Sequence, residues 1–278
     1  MPVLLNLADA SYRDFIHIHP GENPNVLVKI APGCVPVVRG MKIFDADGIW
    51  ALSKHGNSRL ISWNGGAVRK GQWGVRLAPG FSRVTVHCDR GYKVKTGNAL
   101  NLRNPVRYPL DQMLMMYALS QESGLIFHAC GAALNGKGVI FAGVSGAGKS
   151  TLAGILRSAG WEMFSDDRII VRAGRKPGTF RAFGTPWPGD AGIACNDSAP
   201  LSAILLLSKS RRCRVSRLSP IEVLRRLLPA VSIAWHDPDV CRLGLETLDR
   251  ILKNVPVFDF EFTREAKAAN TAAKALHL

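Results

Sequence analysis

Eight residues constrain this chain more than any other stretch: Gly143, Val144, Ser145, Gly146, Ala147, Gly148, Lys149 and Ser150. They spell GxxxxGK[ST] in full. The apolar run GVIFAG (138–143) precedes them, and a segment with helical character, 149–158, follows. A strand, a glycine-rich loop and a helix in that order is the context in which this pattern binds phosphate. Glycines let backbone N–H groups turn inward around an anion, and the helix N-terminus adds partial positive charge. In this arrangement Lys149 faces the β and γ oxygens of a nucleotide and the Ser150 hydroxyl coordinates Mg²⁺. Thr151 completes the cofactor-binding run. ATP and Mg²⁺ are therefore the expected ligands.

The flanking residues extend the pattern. LIFHACGAAL (125–134) reads as a strand, and Asn135-Gly-Lys-Gly138 as the hairpin turn that returns the chain into the phosphate-loop strand. His128 lies on the first of these strands, and the hairpin register decides whether it reaches the phosphates. WEMFSDD (161–167) reads as a strand ending in Asp166 and Asp167, 17 and 18 residues after Lys149. Two such carboxylates divide the work of phosphoryl transfer: one holds Mg²⁺, and the other accepts the proton of an attacking hydroxyl.

Composition narrows the class. Of 278 residues, 47% are hydrophobic, enough for a folded core. No apolar run reaches the ~18 residues of a membrane span. The N-terminus lacks the basic and apolar regions of a secretory signal. Six cysteines are scattered, the closest pair 18 apart, so no CxxC unit forms and zinc is not expected. Reduced thiols and a cytoplasmic location are the expectation. The net charge of +15 suits phosphate ligands and acidic partners. The densest basic run holds Lys209, Arg211, Arg212, Arg214 and Arg217. It has the composition of a solvated loop or edge strand.

The rest of the chain predicts an α/β fold in two parts. Residues 1–108 are β-rich, with strands expected at 26–30, 36–40, 74–78 and 83–88. Residues 109–278 hold a helix at 110–121, the strand–loop–helix unit, and strands at 168–173, 180–184 and 201–207. They continue with helices at 220–228 and 237–254, a strand at 257–262 and a final helix capped by Thr263.

The segment Phe127 to Val171 resembles the HPr kinase/phosphorylase group. His128, Gly143, Ser145, Gly146, Gly148, Lys149, Ser150, Asp166, Asp167 and Arg168 fall in register with that group's pattern. The resemblance implies a P-loop kinase core like that of HPr kinase and phosphoenolpyruvate carboxykinase, acting on a serine hydroxyl. It implies Asp167 as the catalytic base, Asp166 as support for the metal or for His128, and His128 at the phosphate site beside Lys149. Ser150 and Asp166 are the expected metal ligands. Downstream, the group's Glu and Arg before a glycine are replaced by FRAFGTPWPGD (180–190). Asp190 is the candidate substitute carboxylate and Arg181 the candidate compensating charge. Gly184 to Asp190 looks like the divergent HPr-kinase-like proteins that accompany peptide-modification clusters, lasso peptide clusters among them.

The expected function is ATP-dependent phosphorylation of a serine in a peptide or small protein, including a ribosomal precursor peptide. A kinase for a small-molecule hydroxyl and a non-catalytic ATP-binding regulator are the alternatives. No helix-turn-helix, zinc finger or aromatic RNA-binding signature points to nucleic acid. No membrane partner is expected, and a homo-oligomer is compatible with the sequence.

Overall fold

The computed structural model describes residues 4–6, 10–16, 24–33, 35, 40–63, 73–96 and 99–278. The fold is mixed α/β with mostly sheet content. The strand expected at 36–40 lies outside the described residues except at Gly40, and Cys34 also lies outside them. The chain divides into two compact units.

The first unit comprises Met1–Asp9, Ile18–Gln121 and Ala234–Cys241. Its strands are β1 (Leu4–Asn6), β2 (Leu27–Pro32), β3 (Met41–Ala46), β4 (Trp50–His55), β5 (Ser58–Trp63), β6 (Trp73–Leu77), β7 (Arg83–Cys88), β8 (Lys93–Thr96) and β9 (Ala99–Arg103), followed by helix α1 (Leu110–Gln121). Six strands form one sheet in the order β2-β7-β6-β5-β4-β3, and β1, β9 and β8 form a second. Alternation sets the buried face: along β7, Val84, Val86 and Cys88 point inward while Arg83 is exposed. The sequence reading placed α1 with the second part of the chain. It groups with the first instead, because Leu110, Leu114 and Tyr117 pack into the core of Leu52, Ile61 and Val86.

The second unit comprises Ala10–His17, Glu122–Ile233 and Arg242–Leu278. Its elements are β10 (Gly124–Leu134), β11 (Lys137–Ala142), α2 (Lys149–Ser158), β12 (Glu162–Ser165), β13 (Arg168–Ala173), β14 (Phe180–Phe183), β15 (Ser198–Lys209), β16 (Arg214–Arg217), α3 (Pro220–Leu227), β17 (Val231–Ser232), α4 (Pro238–Asn254, grouped here from Arg242 onward), β18 (Val257–Phe262) and α5 (Lys267–Ala275). The turn between β10 and β11 is made by Asn135 and Gly136, at φ of 50° and 74°. That left-handed pair is the geometry an Asn-Gly hairpin adopts. It fixes the register from Leu134↔Lys137 to Ala129↔Ala142.

Strand β15 joins the sheet together. It pairs antiparallel with β14 at 198–200, then parallel with β11 on one side and β18 on the other. The C-terminal ends of β11, β15 and β18 therefore open in one direction. Below them lies a core that includes Phe141, Leu152, Leu156, Leu205 and Phe260. Each such buried side chain contributes about 1.5–3 kcal/mol.

Two expected boundaries move. Strand β12 stops at Ser165, so Asp166 and Asp167 occupy the bend before β13. The last helix starts at Lys267, and Thr263 does not cap it. The Thr263 N–H instead meets Cys213 Sγ at 3.4 Å.

Candidate active site

The loop from Gly143 to Gly148 leaves β11 and enters α2. Gly148 is the N-cap of α2, at φ +99°. A glycine there has no side chain to satisfy the first-turn amides, and that turn carries no acidic residue. The uncapped N–H groups, with the helix dipole behind them, form a cradle for an anion. The cradle admits no side chain at Gly148, because a Cβ would lie 2.8 Å from Phe262 Cζ. Lys149 folds back over the loop and donates to Gly143 O at 3.0 Å and Val144 O at 3.2 Å. Burial draws its amine below the usual lysine range, and the nearby Asp167 carboxylate opposes that shift.

This loop forms one side of a cavity of about 500 Å³, which Ser145, Gly146, Gly148, Lys149, Ser150 and Thr151 help to line. Asp167 and His128 line it too. His128 Nε2 donates to Asp167 Oδ1 at 2.9 Å, and Arg168 reaches Asp167 Oδ2 at 2.9 Å. The backbone holds the pair in place, since Ala129 N–H donates to Asp167 O at 3.0 Å. Burial alone would raise the Asp167 pKa. The His128 hydrogen bond and the charges of Arg168 and Lys149 outweigh it, so the carboxyl lies below its usual range.

Asp166 is placed differently. It is 1% exposed and does not line the cavity. Its carboxylate accepts three backbone N–H bonds, from Gly189 at 2.8 Å, Ala191 at 2.7 Å and Ile193 at 3.1 Å. The metal-ligand role expected from sequence thus meets a carboxylate already engaged with the chain's own amides. Those amides fix the loop that carries Asp190, and Asp190 does line the cavity. Arg181 is engaged elsewhere, on Ser198 O at 3.1 Å and Ser198 Oγ at 2.9 Å.

Sequence reasoning missed the opposite lip. Lys209, Ser210, Thr263 and Arg264 line it, at and just past the C-terminal ends of β15 and β18. Parallel pairing of β11, β15 and β18 is what brings them there. The rule that ligands bind at the carboxyl ends of parallel strands would have flagged them once that pairing was known.

The family described as "SynChlorMet cassette protein ScmC" matches residues 108–240. Among solved structures, the chain is similar to the Hpr(Ser) kinase/phosphatase from Coxiella burnetii. That likeness covers 54% of this chain and 95% of the other at 14% identity, with a TM-score of 0.31. None of the curated proteins compared with the chain matches it.

Proposed function

We propose that the second unit is an ATP-dependent kinase that phosphorylates a serine-type hydroxyl of a peptide or small protein. One observation carries this reading. Asp167, oriented by His128 and Arg168, lines the same cavity as the Lys149 amine and the uncapped start of α2.

ATP bound with Mg²⁺ supplies the phosphoryl group. The loop amides and Lys149 hold its phosphates, and the Ser150 hydroxyl is placed to ligate the metal. Asp167 stays ionised at neutral pH and accepts the acceptor's hydroxyl proton as that oxygen bonds to phosphorus and the bond to ADP breaks. Asp166 acts through the 189–193 loop, presenting Asp190 to the cavity. Asp190 in turn is the carboxylate nearest in role to the metal ligand expected at Asp166.

The likeness to a cassette protein favours an acceptor encoded nearby, such as a ribosomal precursor peptide of the lasso or a related kind. The reading is tested by incubating the purified chain with γ-labelled ATP, Mg²⁺ and serine-containing peptides. Label should pass to serine with the native chain and not with Asp167→Asn. Nucleotide binding without transfer to any peptide or small hydroxyl compound would instead favour a nucleotide-dependent regulator.

A further inference from the structure

The lip opposite Asp167 is built from cations with no assigned task. Lys209 and Arg264 line the cavity, and both are exposed. Arg211 and Arg212 follow on the turn between β15 and β16, and Arg214 opens β16. Among the described residues, Lys209, Arg211, Arg214 and Arg264 have no carboxylate within ion-pair distance. Arg212 makes one long contact, 3.8 Å to Glu261. The other nearby acid, Glu265, is engaged by Lys267 at 2.8 Å. The strip thus runs from the phosphate cavity out along the hairpin with nearly all of its charge uncompensated.

Its exposure separates it from the phosphate cradle. Lys149 is 7% exposed and reaches loop carbonyls, as befits a group holding a desolvated anion. Exposed cations on a rim act differently. They steer an oppositely charged partner and fix its register, and their effect is weakened by salt. Strand β16 is at the end of its sheet, so the hairpin has one side without a strand neighbour.

We infer that this strip is the docking surface for an acidic peptide acceptor, one with carboxylates beside the serine that enters the cavity. The inference rests on the kinase reading for its site, but it makes a claim about binding that needs no turnover.

The test uses fluorescein-labelled twelve-residue peptides with one central serine, flanked by Glu in one and by Lys in the other. Anisotropy is read with the full chain in the presence of ADP and Mg²⁺. The Glu peptide should bind at least about tenfold tighter than the Lys peptide, and its affinity should fall as salt rises from 50 to 300 mM. Arg211→Ser with Arg214→Ser should weaken the Glu peptide about fivefold while ADP affinity stays within about twofold. Lys209→Ser with Arg264→Ser should weaken it further. Equal binding of the two peptides, or no change in the double variant, overturns the inference. So does a single-stranded oligonucleotide that binds tighter than the Glu peptide with the same sensitivity to the variants. Salt-sensitive binding of the Glu peptide without its phosphorylation upholds the docking surface and removes the kinase reading instead.

Discussion

His128 Nε2 lies 2.9 Å from Asp167 Oδ1, and the strand that carries His128 also hydrogen-bonds the Asp167 carbonyl through Ala129. Imidazole and carboxylate are therefore fixed by one stretch of backbone. Asp167→Asn should lower kcat by about 10²–10⁴-fold, the range of a lost general base, with little change in nucleotide affinity. His128→Ala should give a smaller loss, because Arg168 still holds the other oxygen. Single-turnover transfer alongside binding of a fluorescent nucleotide separates the two effects. Loss of nucleotide binding in Asp167→Asn would assign that residue to the metal.

The same carboxyl has a consequence for acid stability. Its folded pKa is below the unfolded value of about 3.9, so its contribution is complete above that pH. The contribution disappears as pH falls through the folded value. Acid unfolding followed by circular dichroism should show a steeper loss for the native chain than for Asp167→Asn.

Lys149 carries the opposite sign. Its amine titrates below the ordinary lysine value of about 10.4 when no phosphate is present. Nucleotide affinity should be full at neutral pH and decline on the alkaline side, starting before an ordinary lysine would deprotonate. Lys149→Ala should remove that decline and lower turnover by at least about 10²-fold. Titration of nucleotide binding from pH 7 to 10 checks both statements.

Asp166→Ala leaves three buried amide donors without an acceptor. Unfolding free energy should drop by about 3–5 kcal/mol, the cost of breaking a buried charged network. Asp166→Asn keeps one acceptor oxygen and should lose less. In urea titrations both should be destabilised, while the Mg²⁺ concentration for half-maximal activity moves less than in Asp190→Asn. An Asp166→Asn chain of native stability with a tenfold weaker Mg²⁺ response would return Asp166 to the metal.

In the first unit, Arg59 donates to Asp237 through Nε and through its NH2 group at 3.0 Å, with side chains 4% and 0% exposed. Tyr117 OH adds a bond to Asp237 at 3.1 Å. Arg59→Met strands a buried carboxylate and should cost about 3–5 kcal/mol. Changing both partners to apolar residues should recover most of that loss, as measured by thermal or urea unfolding.

How much of this was legible depended on the reach of each contact. The Asn135-Gly136 turn is local, so the hairpin and its register could be read directly, and with them the course of β11 into the loop. Helices α1 and α2 and strand β18 likewise have the bounds their composition suggests. The geometry of Asp166 was not legible. Its donors lie 23 to 27 residues downstream in a stretch with no periodicity, and backbone amides leave no mark in a sequence. Arg59 and Asp237, 178 positions apart, were hidden for the same reason. Thr263 has the chemistry of a helix cap, but its amide is drawn to Cys213 across the hairpin, and the helix starts later.

The placing of β15 between β11 and β18 also dictates when the cavity can come into being. Its two lips are Gly143–Ser150 and the pair Lys209 and Arg264, and the second lip exists only once Val257–Phe262 has paired with Ser198–Lys209. A ribosome-bound chain that has released everything up to α4 already holds the whole phosphate motif, yet it lacks the wall that Phe262 sets against Gly148. Nucleotide affinity should therefore arise late and abruptly during synthesis, and the motif alone, excised with its strand and helix, should bind far more weakly than its sequence advertises.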